Sequence, residues 1–191
     1  MRIPFNRPSL TGRELDYVAE AIRSGHASGD GAFTLRCQAL LEQTLGVPKA
    51  LLTTSCTDAL EMCGLLLDLQ PGDEILVPSF AFVTTVNAFV LRGARPVFLD
   101  IRPDTLNLDE TRLEPLLTPR ARAIVVLHYA GIGCEMDPIL DIAGRHGLPV
   151  IEDNTLSVGN GGYGGDGGDG GTGGLGGLGG TGGSRAPTGA G

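Results

Sequence analysis

Glycine divides this 191-residue chain: of its 31 glycines, 19 lie beyond position 158, and residues 161–184 run as eight consecutive Gly-Gly-x triplets. Ordering the backbone costs roughly 1–2 kcal/mol per residue, and a stretch with so few side chains buries almost no apolar surface to offset that. The expectation is a folded segment over residues 1–158 and a disordered low-complexity tail over 159–191. The triplet period is that of collagen, but the near-absence of proline from it argues against a triple helix. The abrupt change just after Asp153 is also what a gene fusion or a shifted reading frame would leave.

Residues 1–158 alternate helix and strand. Thr11-Gly12-Arg13-Glu14 reads as a capping box, followed by Leu15, Val18, Ala19 and Ile22 on one helical face and Gly25 as the stop. A second helix over 33–45 places Cys37, Leu40, Leu41 and Leu45 together and ends at Gly46. Next come a short strand over 50–53 and a helix over 55–69 with Ala59, Leu60, Met62, Cys63, Leu66 and Leu67 inward. The turn Gln70-Pro71-Gly72-Asp73 leads to a strand over 74–77, a helix over 81–91 ended by Gly93, and a strand over 95–99. Asp109 opens a helix through Leu113, Leu116 and Leu117, before a strand over 123–127. Asp137 caps the last helix, with Pro138 at its first position and Gly147 past its end, and a strand over 149–151 follows. Strands that are apolar throughout and separated by helices indicate a parallel sheet covered on both faces. The class is α/β.

Composition narrows the function. Net charge is −8 and the 14 basic residues are scattered, which argues against a nucleic-acid or anionic-membrane partner. No run approaches the ~20 apolar residues that span a bilayer, and Met1-Arg2-Ile3-Pro4-Phe5-Asn6 lacks the apolar core of a signal peptide. Cys37, Cys56, Cys63 and Cys134 show no metal-ligand spacing and read as reduced thiols of a cytoplasmic protein, with no metal site. Neither a three-glycine dinucleotide fingerprint, a phosphate-binding P-loop nor a serine elbow occurs.

In an open α/β sheet, ligands bind beyond the carboxyl ends of the strands. Four such places stand out. Thr53-Thr54-Ser55-Cys56-Thr57-Asp58 opens a helix with small and hydroxylic residues; it suits an anion, and equally an ordinary cap made by Ser55 and Asp58. Phe80 and Phe82 bracket a helix start, where core packing is the default and an aromatic platform the alternative. His128-Tyr129-Ala130-Gly131 follows a later strand, and Glu152-Asp153 another; that acidic pair is either a cap or surface acid, or a partner for a cationic nitrogen.

In this order along residues 3–153, Gly29-Asp30-Gly31, Thr54-Ser55-Cys56-Thr57-Asp58-Ala59-Leu60-Glu61, Asp68-Leu69-Gln70-Pro71-Gly72-Asp73-Glu74, Pro78-Ser79-Phe80-Ala81-Phe82-Val83, Asn87-Ala88-Phe89-Val90-Leu91-Arg92-Gly93-Ala94, His128-Tyr129-Ala130-Gly131 and Glu152-Asp153 resemble the DegT/StrS-type nucleotide-sugar aminotransferases. The likeness is greatest to those making dTDP-4-amino-4,6-dideoxygalactose for surface polysaccharides. The resemblance implies the aspartate-aminotransferase type of large domain (fold type I), here only its N-terminal part, and pyridoxal 5′-phosphate as cofactor. By motif position, the backbone N–H groups of Cys56 and Thr57 would hold the cofactor phosphate, Phe82 would stack on the pyridine ring, and Asp153 would pair with the ring nitrogen. The implied reaction moves an amino group from glutamate to a dTDP-4-keto-6-deoxy sugar, in a homodimer with sites at the subunit interface.

The likeness fades at Asn154-Thr155-Leu156, where the family usually has two alanines and then a polar residue near the cofactor. The family's Schiff-base lysine has no counterpart: Lys49 is the sole lysine of the chain and stands at another position. Arginine, held protonated, is no substitute for that amine. The expectation is a truncated aminotransferase chain with little or no activity. The alternative is a non-catalytic fragment, inert or paired with an intact paralogue through its open sheet edge.

Overall fold

The computed structural model describes residues 10–154 and a two-residue strand, Gly177–Leu178. Apart from that strand, the tail over 159–191 lies outside the described residues. The chain forms two compact units, Met1–Leu52 and Thr53–Gly191.

The first unit holds α1 (Glu14–Arg23) and α2 (Ala32–Leu45). Half of the expected capping box forms. The Glu14 carboxylate accepts the Thr11 N–H at 2.6 Å, the Thr11 hydroxyl at 2.9 Å and the Gly12 N–H at 2.9 Å, which holds its carboxyl down at about 2. Thr11 is thereby used as a donor, and the residue before the helix, Arg13, makes no side-chain cap. The apolar stripes predicted for both helices are not buried: Leu15, Val18, Ile22, Cys37 and Leu40 are exposed, and the buried residue of α2 is Gln38. Two helices alone enclose too little volume to cover such stripes. Between α1 and α2, the rings of Tyr17 and Phe33 meet edge-on at 5.6 Å, and Arg36 lies 3.8 Å from Glu20. Gly46 ends α2 in the left-handed conformation, as expected.

The strand expected over 50–53 does not form; those residues take no regular structure and Leu51 and Leu52 are exposed. A strand exists only by pairing, and no strand among the described residues pairs with this segment.

The second unit opens with α3 (Cys56–Leu66), followed by β1 (Glu74–Pro78), α4 (Val83–Val90), β2 (Arg95–Leu99), β3 (Ala121–Leu127), α5 (Met136–His146) and β4 (Val150–Asp153). The sheet order is β2-β1-β3-β4, all parallel, and Gly177–Leu178 pairs antiparallel with β4. Alternation along the strands sends side chains to two cores. Ile75, Val77, Ala123, Val125 and Ile151 pack with Leu60, Cys63, Ala88 and Phe89 of α3 and α4. Leu76, Ile124, Val126 and Val150 pack with Ile139, Ile142 and Ala143 of α5 and with Leu108 and Leu113. Both faces of the sheet are covered, as predicted.

Three helix expectations change. α3 stops at Leu66, short of residue 69, and Asp68 turns the chain at a positive φ of 49°. Asp109 does cap, its carboxylate accepting the Thr111 N–H at 3.0 Å, but two 3-10 turns, Glu110–Arg112 and Glu114–Leu116, replace the helix. Pro115 has no N–H to give and its ring collides with the carbonyl a turn earlier. α5 begins one residue before the predicted cap; Asp137 and Pro138 sit inside its first turn and Glu135 precedes it.

At the amino end of the sheet, the fully buried Glu74 carboxylate accepts the Thr118 hydroxyl on Oε2 and meets the guanidiniums of Arg120 and Arg95 at Oε1, both guanidiniums at 3.0 Å. These donors hold its carboxyl below the ordinary glutamate value, the Thr118 hydroxyl most strongly.

Candidate functional site at the carboxyl ends of the strands

From β1 the chain crosses to β2 on one side, and β3 returns on the other side of β1. The order therefore reverses between β1 and β3, which opens a crevice beyond their carboxyl ends.

The acidic pair at the end of β4 is divided by strand parity. Ile151 faces the α3/α4 core, so Asp153 does too; Val150 faces the α5 core, and Glu152 with it. Both carboxylates are buried, Asp153 to 3% exposure, so neither is a cap or a surface acid. Asp153 is where three elements meet. The Thr85 hydroxyl, from the first turn of α4, donates to its Oδ2 at 2.6 Å. The Cys56 thiol, from the first residue of α3, donates to its Oδ1 at 3.7 Å. The backbone N–H of Thr85 in turn donates to the carbonyl of Phe82 at 3.0 Å, which fixes the residue before α4. The structure thus brings Cys56, Phe82 and Asp153 to one place, with Thr57 as the second residue of α3.

The α3 terminus is built as its sequence suggested. Ser55 is extended and its hydroxyl accepts the Asp58 N–H at 3.1 Å. Thr54 donates its hydroxyl to the Asp58 carboxylate, and the Thr54 and Ser55 hydroxyls hold that carboxyl below its usual value. The first N–H groups of a helix have no acceptor within the helix and carry the positive end of its dipole, and Cys56 and Thr57 occupy that turn.

The phenylalanines are not core. Phe82 is 70% exposed and Phe80 is exposed as well, its ring 5.0 Å from that of Tyr129. Core packing, the default from spacing, is overturned because both residues stand beyond the end of β1, past the covered part of the sheet. Tyr129 belongs to a tight turn, Tyr129–Gly131, with Ala130 at a positive φ of 52°. Buried Asn107 clamps this turn: it accepts the Tyr129 N–H and donates to the carbonyls of Ile132 and Gly133, each at 2.9 Å.

On the α5 side, His128 Nε2 lies 3.0 Å from Glu152 Oε2, both side chains being buried. His128 Nδ1 accepts the Cys134 N–H at 3.0 Å, so the ring proton sits on Nε2 and points at the carboxylate. Burial, with the Glu152 charge second, pushes the Cys134 thiol up to about 12; burial likewise raises Cys63 to about 11. Neither thiol is a nucleophile. None of the four cysteines forms a disulfide.

Sequence reasoning missed Thr85, Asn107 and the His128–Glu152 pair. Asn154, where the motif pattern departs, is buried, and its Oδ1 has no hydrogen-bond partner among the described residues. Among the described residues no helix is long and apolar enough to cross a membrane.

Residues 8–175 match the DegT/DnrJ/EryC1/StrS aminotransferase family. A GDP-perosamine synthase of Caulobacter vibrioides is 40% identical over 158 residues, which are 83% of this chain and 43% of that protein. The aminotransferase TlmJ of Streptoalloteichus hindustanus superposes with a TM-score of 0.73 at 36% identity, over 82% of this chain and 43% of that one. NtdA of Bacillus subtilis, solved with its cofactor PMP bound, superposes with a TM-score of 0.72 at 32% identity, over 76% of this chain and 33% of that one. The chain therefore spans less than half the length of these relatives.

Proposed function

The chain belongs to the DegT/DnrJ/EryC1/StrS aminotransferase family, and from that premise we propose that its second unit holds the phosphate and pyridine ring of pyridoxal phosphate for amination of a nucleotide-linked keto sugar. The observation that carries this reading is the convergence on Asp153 of the α3 terminus, the α4 terminus and the end of β4.

The donor set fits that cofactor. A phosphate dianion needs N–H donors and a positive field, which the first turn of α3 offers through Cys56 and Thr57. A flat ring needs an open aromatic face, and Phe82 presents one. A protonated ring nitrogen needs a buried carboxylate, and Asp153 is that group. When bound, pyridoxal phosphate supplies an electron sink that stabilises negative charge beside the transferred nitrogen. The protein's part is to keep the ring nitrogen protonated through Asp153, to orient the ring on Phe82 and to anchor the phosphate at α3.

The amine that moves the proton in such a reaction comes from none of the elements around Asp153. Lys49, the sole lysine in the sequence, belongs to the other compact unit and is paired with Glu42 at 3.1 Å. The 191 residues by themselves therefore bind the cofactor's non-covalent handles and catalyse transamination weakly or not at all. The substrate class is a keto sugar carried on a nucleotide, with glutamate as amino donor. The dTDP carrier suggested by sequence likeness is the finer reading, and the GDP sugar that names the Caulobacter relative does not favour it.

The test is titration of the 191-residue chain with pyridoxamine phosphate, which brings its own amine and needs no lysine. Saturable one-to-one binding that is weakened at least about tenfold in Asp153→Asn, the scale of a lost bond to a charged group, supports the proposal. Absence of binding, or binding indifferent to Asp153, refutes it. Conversion of a nucleotide-linked keto sugar to its amino form by this chain alone would refute the weak-activity part.

A further inference from the structure

The buried face of α4 is made of Thr85, Ala88 and Phe89. Ala88 and Phe89 belong to the apolar core between this helix and the sheet. Thr85 puts a hydroxyl on the same face, with an exposure of 0%. A buried hydroxyl is costly unless it is hydrogen-bonded, and this one is aimed at Asp153 Oδ2 at 2.6 Å, the short distance typical of O–H donation to a charged carboxylate. The Cys56 thiol also donates to Asp153, at 3.7 Å on Oδ1, and a thiol is a weaker donor than a hydroxyl. The main chain of Thr85 makes a second tie, its N–H to the Phe82 carbonyl at 3.0 Å.

We infer that Thr85 is a positioning residue: it registers the ring-nitrogen carboxylate against the ring-stacking residue. One residue holds Asp153 with its side chain and Phe82 with its backbone, so both are set in one frame before any ligand arrives. Without the hydroxyl, Oδ2 loses this short bond, and because the terminal torsion of aspartate is broad the carboxylate is set less sharply against the ring. This inference rests on the cofactor reading above. It adds that the affinity contributed by Asp153 depends on a hydroxyl which itself touches no ligand.

The experiment is a double-mutant cycle in the full 191-residue chain with pyridoxamine phosphate as probe: Thr85→Val, Thr85→Ser, Asp153→Asn, and Thr85→Val with Asp153→Asn. The expected result is a loss of about tenfold or more in affinity for Thr85→Val, the scale of a hydrogen bond to a charged group, and affinity within about twofold of the parent for Thr85→Ser, which keeps the hydroxyl. In the Asp153→Asn background, Thr85→Val should weaken binding no further, because the group it positions is already gone. Melting temperatures of all four variants identify any that has failed to fold, and Thr85→Ser then carries the comparison. Thr85→Val binding like the parent, Thr85→Ser binding as weakly as Thr85→Val, or an undiminished effect in the Asp153→Asn background would each overturn the inference while leaving the site itself intact. If the parent chain does not bind the probe, the site reading falls and Thr85's role falls with it.

Discussion

Replacing Cys56 by proline removes one backbone N–H from the proposed phosphate site, together with the thiol that donates to Asp153. Cys56 is the first residue of α3, where proline is favoured because its fixed φ suits the helix start. Ser55 before it is extended, at φ −153° and ψ 162°, the region a residue preceding proline must occupy. The cap from the Asp58 N–H to the Ser55 hydroxyl at 3.1 Å is untouched. Cys56→Ala serves as the control, since it removes the thiol contact to Asp153 at 3.7 Å and keeps the N–H. A hydrogen bond to a charged acceptor is worth about 1.5–3 kcal/mol, so Cys56→Pro should bind pyridoxamine phosphate roughly 10- to 150-fold more weakly than Cys56→Ala. Calorimetric titration gives the affinities, and circular dichroism shows that both variants retain α3. Equal affinities would mean that the α3 terminus does not hold the phosphate.

Other perturbations separate binding from stability. Phe82→Ala removes an exposed side chain, so it should change stability by less than about 0.5 kcal/mol while weakening pyridoxamine phosphate about tenfold through lost stacking; a large drop in melting temperature would place Phe82 in the core after all. His128→Leu leaves the buried Glu152 carboxylate without its partner and should cost about 3 kcal/mol, whereas Glu152→Gln should cost about 1 kcal/mol, as read by urea unfolding. Glu74→Gln should cost about 2 kcal/mol at neutral pH, because a buried carboxylate loses charge against two guanidiniums. The folded-state pKa of Glu74 lies below its ordinary value of 4.5, so this stabilisation is complete above 4.5 and is lost as pH falls through the lowered value. The parent and Glu74→Gln should therefore converge in stability toward low pH, and a gap that is constant with pH would refute the assignment.

The strands were legible because each carries its burial in its own residues: Ile124-Val125-Val126-Leu127 needs cover on both faces wherever it stands. The segment 50–53 looked the same locally and is no strand, since pairing depends on a neighbour that local sequence does not specify. Pro115 was visible, and weighing its missing N–H would have broken the helix expected after Asp109. At the site, motif position indicated Cys56, Thr57, Phe82 and Asp153, and the described geometry gathers them. Thr85 escaped because a threonine in Val83-Thr84-Thr85-Val86 is unremarked by composition. The available signal was helical periodicity, which places its hydroxyl on the face of Ala88 and Phe89, where a polar group demands a buried partner. His128 and Glu152 were likewise readable from strand parity, once β4 is extended through Asp153.

A crystal structure of the 191-residue chain grown with pyridoxamine phosphate tests the central claim most directly. The account predicts the phosphate on the N–H groups of Cys56 and Thr57, the ring against Phe82 and the ring nitrogen on Asp153. Density for the ligand at any other place, with its ring nitrogen away from Asp153, would contradict it.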